Sequence, residues 1–273
     1  AVKNKLRKSK IGYFGAHPNF MTSLMADEYA VRNILGPMLI NFGNEDIIIN
    51  RESIEEPQYK KEWENIIACA GHVEASEENA DISSKTLLYI RKLVKEYSLD
   101  AVSINCLPNL KGQVCIPIAR LNDIGIPAAC EGDLNSTIAM YILYLLSGKA
   151  VSNNDQFKVY LEDNSIVFSH CGAGPFSLAS NKEEINIHSD FETGRGLGVY
   201  FPINIPGEVT ICNLMGQRDS YRMFVTRGEV IHTDMIYEGN PLRVKFNFEV
   251  SGMLDKIAEK GHGHHWNILF RHF

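Results

Sequence analysis

Glu131 and Asp133 stand in the stretch ACEGDLNST (129–137), between a short apolar lead-in, DIGIPA, and the apolar run IAMYILYLLSG. A strand handing over to a helix at this point would set two carboxylates at the carboxyl end of a sheet, where open parallel sheets bind ligands. Asp133 is well placed to cap the helix that follows. Glu131 precedes the cap, and a carboxylate on a buried strand end needs a salt-bridge partner or a metal ion.

Other residues could complete such a site. Asp155 follows Glu131 by 24 positions, His170 lies in FSHCG, and GHGHHW (261–266) places histidines at 262, 264 and 265. Carboxylates joined by one or two histidines form an oxygen and nitrogen set that suits a divalent ion such as Mn²⁺, and the absence of thiolate spacing speaks against structural zinc. Each residue also has an ordinary use. Asp155 in SNNDQ suits a turn, His170 suits a hydrogen-bonded core position, and HGHHW suits a solvated loop. Gly132-Asp133 with Asn153-Asn154 partly matches the thiamine diphosphate motif, but Leu134 stands where glycine belongs and the gap is short. Neither GxGxxG nor a P-loop pattern occurs, so nucleotide binding has no support.

The elements that must position these residues change character near Gly148. Before it, strand-like KIGYFGA, EDIIIN, DAVSINC and IPAAC alternate with helix-like segments. These are LMADEYAVRNILGPML, with a break at Gly36-Pro37, then YKKEWENIIACAG, ISSKTLLYIRKLVKEY and VCIPIARLNDIG. Such alternation predicts an α/β, Rossmann-like domain over 1–148 with a mostly parallel sheet. After Gly148, QFKVYLEDNSIVFSHC reads as a hairpin. Further alternating segments follow, punctuated by Gly and Pro, with one helix, SGMLDKIAEKG. This predicts a β-rich, barrel-like C-terminal domain over 149–273.

Composition bounds the rest. The 273 residues are 45% hydrophobic and 22% charged, as in a globular protein with sizeable cores. A net charge of −6 argues against nucleic acid or an anionic membrane as partner. The longest apolar run, Ile138 to Leu146, is too short to span a bilayer, and the basic start AVKNKLRKSK lacks the apolar region of a secretory signal. Six cysteines without CxxC spacing read as buried free thiols of a reducing cytoplasm.

Taken in order, RLNDIGIPAACEGDLNSTIAMYILYLLSG, NNDQ, SHCG, PGEVTICNL and GHHW resemble the L-fucose isomerase family and its wider fucose/arabinose isomerase-like group, best from about Ala101 to Trp266. The resemblance implies a metal-dependent aldose–ketose isomerase, usually using Mn²⁺, with two Rossmann-like domains and a β-rich C-terminal domain. It implies that Glu131 and Asp155 bind the metal and transfer protons, and that His265, or less readily its neighbour His264, is the histidine ligand. His170 matches a ligand of the arabinose-type enzymes. Trp266 and His264 are candidate sugar contacts. A metal chelated by O1 and O2 of the open-chain sugar acts as Lewis acid, while a carboxylate moves the proton between C2 and C1. The chain is short for the family and matches only its second and third domains, as a fragment would. The resemblance also implies a homo-oligomer with the site near a subunit interface, acting on a monosaccharide in the cytoplasm. A non-catalytic sugar-binding protein on the same scaffold, or an epimerase or lyase, are the alternatives, and product analysis separates them.

Overall fold

The computed structural model describes residues 1–217 and 219–270. Its fold is mixed α/β, with a parallel sheet and a separate antiparallel sheet. The basic N-terminal stretch forms helix α1 (Val2–Lys8), which buries Leu6. Strands β1 (Lys10–Phe14), β2 (Met38–Phe42), β4 (Ala101–Ile104) and β5 (Ala128–Ala129) make the parallel sheet in the order β2-β1-β4-β5. Helices α2 (Glu28–Ala30), α3 (Asn44–Asn50), α4 (Glu56–Ile67), α5 (Glu77–Tyr97) and α6 (Cys115–Asp123) lie between these strands in the chain.

Two segments differ from the sequence expectation. EDIIIN, three consecutive isoleucines that favour a strand, forms helix α3. The Asp46 carboxylate accepts the Gly43 N–H at 2.8 Å, a local cap that outweighs β propensity. LMADEYAVRNILGPML is not one helix. A short 3₁₀ turn, α2 and a π-helical turn (Val31–Leu35) end at Gly36, whose φ of 104° stops the helix; β2 then begins at Met38.

Helix α7 (Leu134–Ser147) is apolar on nearly all sides, as a helix buried on more than one face must be. Leu134, Ile138 and Tyr141 share a core with Ile11 and Ala101 of the parallel sheet and with Cys212 and Leu269 of the antiparallel one. That second sheet contains β6 (Ser152–Tyr160), β7 (Ser165–Ser169), β10 (Gly207–Gln217), β11 (Ser220–Ile231), β12 (Leu242–Lys245) and β13 (Trp266–Leu269). They pair in the order β10-β11-β12-β7-β6-β13, and β13 also pairs with β10, so the pairing forms a ring. Helix α8 (Val250–Lys260) leads into the histidine run before β13.

A third, small sheet ties early and late chain together. Strand β3 (His72–Val73) pairs in parallel with β8 (Asn186–Ser189), which pairs antiparallel with β9 (Leu197–Tyr200). The larger hydrophobic core is likewise shared, joining Ile104 and Ile118 to Ile166 and Val244.

Candidate metal centre

The site begins where β5 ends. Glu131 and Gly132 both adopt positive φ, 58° and 63°, which turns the chain sharply into α7. The Gly132 N–H donates to the Ile104 carbonyl at 3.0 Å, and a Cβ at 132 would lie 1.8 Å from the Ala16 carbonyl oxygen, so only glycine fits. Glu131 has a Cβ and still takes this conformation. Such backbone strain costs on the order of 1–2 kcal/mol and is characteristic of functional sites.

Asp133 serves two purposes. One carboxylate oxygen caps α7 by accepting the Ser136 N–H at 2.8 Å. The other stands 2.9 Å from His265 Nδ1, with both side chains almost wholly buried. His265 therefore donates Nδ1–H to Asp133 and presents its Nε2 lone pair inward, the arrangement that orients metal-binding histidines.

His265 Nε2 lies 3.6 Å from Glu131 Oε2 and 2.9 Å from His170 Nε2. Burial works against a charge on His170, while Cys171, Asp155 and Glu131 pull its pKa up to about 10. The geometry decides the tautomer differently. The backbone N–H of Cys171 donates to His170 Nδ1 at 2.8 Å, which demands a lone pair there. His170 is then neutral and donates Nε2–H to His265 Nε2.

His264 closes the group from the other side. Its Nε2 is 3.3 Å from Glu131 Oε2 and 3.4 Å from Asp155 Oδ1, and its Nδ1 is 3.4 Å from the Ser23 hydroxyl. Burial tends to raise the Glu131 pKa, but the approach of His264 Nε2 and the electrostatic attraction of the His265, His170 and His264 rings outweigh it and hold the value at about 2. The same approach raises the His264 pKa against the opposing effect of burial, with Asp155 adding to the shift.

The residues fit a divalent cation. Glu131 Oε2 is buried without a well-formed hydrogen bond. Ligand atoms of Glu131, His264 and His265 lie within 4.8 Å of one another, as do those of Asp155, His170 and His265. Two donors about 2.1 Å from one ion at a tetrahedral angle sit about 3.4 Å apart, close to the spacings seen here.

Glu131, Asp155, His170, His264 and His265 are thus brought together from four stretches of chain. Asp155 lies within β6, opposite Ser169 of β7, rather than in a turn. Trp266 goes elsewhere: it is 1% exposed and packs against Phe168, Phe224 and His262, with ring centroids 5.5–6.2 Å apart. Asp133 as a partner of His265 has no sequence signal beyond its capping position. The approach of Ser23 to His264 has none.

Beside the cluster, a cavity of about 420 Å³ opens at the carboxyl ends of β1, β2 and β4. It is lined by His17, Asn19, Phe20, Asn44, Asn105 and Asn109 among others. The loop bearing Ala16 and His17 runs from this cavity to Gly132.

No family model matches the chain. It is similar to sulfoquinovose isomerases. The sulfoquinovose isomerase of Priestia aryabhattai is 26% identical over 276 residues, covering 98% of this chain, and that of Alkalicoccus urumqiensis is 24% identical over 271 residues, covering 97%. A sulfoquinovose isomerase from a Clostridium species is 23% identical over 184 residues, or 65% of this chain. The chain spans 61% of the length of the first two relatives. Their names support kinship with sugar isomerases.

Proposed function

We propose that the protein carrying this chain is a metal-dependent aldose–ketose isomerase that works through an enediol. The observation that carries this is the convergence of Glu131, Asp155, His264 and His265 on one point, in a chain similar to named sugar isomerases.

Glu131, Asp155 and His265 would hold the ion, with His264 beside them and His170 next to the inward-facing Nε2 of His265. A divalent cation there would polarise the sugar carbonyl and offset negative charge as it develops on the oxygens. Asp133 fixes the His265 ring so that Nε2 faces inward. Asp155 is about a third exposed while Glu131 is nearly buried. This suits Asp155 to reach a proton on the substrate carbon, with Glu131 exchanging a proton on the neighbouring atom. His264 Nε2, within 3.4 Å of both carboxylates, can pass a proton between them. The amide-rich cavity at the sheet's carboxyl end offers room and hydrogen-bonding groups for the rest of a sugar.

The finer parts of the proposal are Mn²⁺ as the ion, a homo-oligomer with the site near a subunit interface, and a cytoplasmic location. A division into a Rossmann-like unit over 1–148 and a barrel-like one over 149–273 is a further part of the proposal. These rest on the sequence resemblance and on the change from helix–strand alternation to paired strands at Gly148. No described helix is long and apolar enough to cross a membrane.

The test is ketose formation by the full-length protein from sulfoquinovose, L-fucose, D-arabinose and L-arabinose, with Mn²⁺ and after chelation. Ketose from at least one sugar, abolished by chelator, is expected. A C2 epimer, cleavage products, or turnover indifferent to chelation would overturn the proposal.

A further inference from the structure

Directly behind the oxygen and nitrogen cluster lies a set of thiols that its chemistry does not use. Cys106 follows β4, Cys130 follows β5, and Cys171 follows β7. Cys106 and Cys130 are fully buried, with their sulfurs 3.3 Å apart. The sulfurs of Cys130 and Cys171 and a ring nitrogen of His170 all lie within 4.8 Å of one another, and Cys171 Sγ is 3.1 Å from His170 Nδ1. Three strand ends from two different sheets thus deliver three thiols and an imidazole to one place. The sequence spacing, 106, 130 and 171, matches no zinc motif.

We propose that Cys106, Cys130 and Cys171 form a second metal site, selective for thiophilic d¹⁰ ions of the Zn²⁺ class. Two sulfurs each about 2.3 Å from a tetrahedral zinc ion stand about 3.8 Å apart, so the observed spacings need little adjustment. Three sulfurs are a soft set, whereas the neighbouring carboxylates favour harder ions. Binding is an exchange without redox change: each thiol that coordinates releases its proton to solvent, and sulfur–metal bonds form. Three thiolates and a divalent ion leave one net negative charge, close to the Lys111 ammonium, which also pairs with Glu192 at 2.9 Å. Because Cys130 adjoins Glu131 and Cys171 adjoins His170, an ion here would clamp the two sheets together behind the first cluster.

The experiment loads the 273-residue chain with Mn²⁺, adds one equivalent of Zn²⁺, and records X-ray absorption at the zinc edge. Sulfur neighbours at about 2.3 Å are expected, together with an upward shift of the unfolding midpoint. Cys130→Ser and Cys171→Ser should each reduce the sulfur shell and abolish the shift. Cys69→Ser, at a partly exposed thiol that contacts Asn65 and Arg120 instead, should keep both, and Glu131→Gln with Asp155→Asn should keep the sulfur shell. A wild-type spectrum with only nitrogen and oxygen neighbours at about 2.0–2.1 Å would overturn the proposal, even if the serine variants fail to fold. So would an unchanged sulfur shell in both serine variants. A negative isomerase assay leaves either result standing.

Discussion

Asp133 Oδ2 and His265 Nδ1 are 2.9 Å apart and almost wholly buried, although 132 positions separate them in the chain. The same carboxylate caps α7 through Ser136. One side chain therefore fixes both the start of α7 and the direction of the His265 ring.

Asp133→Asn should separate these duties. The amide oxygen can still accept the Ser136 N–H, but the negative charge opposite His265 is lost. Divalent-ion affinity should fall about 10–100-fold with little change in unfolding midpoint, as read by Mn²⁺ titration and urea denaturation. Asp133→Ala loses the cap as well and leaves the His265 N–H unpaired. Its stability should drop by roughly 2–4 kcal/mol.

Glu131→Gln keeps the size of the side chain but removes its charge. In the full-length protein, turnover should fall at least about 10²-fold and Mn²⁺ binding should weaken. An isomerase assay beside calorimetric metal titration reads both. Unchanged affinity would remove Glu131 from the ligand set.

Acid stability of the metal-free chain should report the same carboxylate. Glu131 is held at about 2 from an ordinary 4.5. A lowered folded pKa stabilises above the unfolded value, and that contribution fades as pH falls from about 4.5 towards 2. His264 works with the opposite sign. Its raised pKa stabilises below 6.5, and this contribution fades as pH rises through the folded value. Urea midpoints against pH in the presence of chelator should show the acid-side loss in the native chain and a shallower one in Glu131→Gln.

Gly132→Ala meets two obstacles, a φ of 63° and the Ala16 carbonyl. Loss of about 2–5 kcal/mol is expected, with weakened metal binding because Glu131 must shift. Thermal unfolding with and without Mn²⁺ checks both.

Trp266→Phe tests the role of the ring. Buried among Phe168, Phe224 and His262, it should lower stability by about 1–3 kcal/mol while leaving metal affinity within a factor of a few. A change in KM without loss of stability would instead make it a sugar contact.

What the sequence discloses follows from how local each cause is. The strand–loop–helix at 128–147 is legible because an apolar strand, a Gly and a capping Asp are adjacent. Helix α3 is misread because three isoleucines favour β structure and the deciding hydrogen bond, from Gly43 to Asp46, is a geometric detail. Strand β2 is hidden because the apolar run on either side of Gly36-Pro37 looks continuous. The acidic and histidine candidates are visible as residue types, but Asp133 looks only like a cap. The thiols at 106, 130 and 171 look unrelated because only strand pairing brings their positions together.

The small sheet of β3, β8 and β9 and the partnership of Asp133 with His265 bear on how the chain acquires its shape during synthesis. His72 pairs with Asn186, more than a hundred residues later. Once Asp133 has emerged from the ribosome, it must wait for His265. Until β13 docks, the carboxylates of 131 and 133 have no imidazoles to face, and α7 lacks one of its apolar partners. Such distant closures are slow to form. The nascent chain should therefore hold an incomplete, hydrated site and an exposed apolar helix until β13 arrives, an interval in which a chaperone has most to offer it.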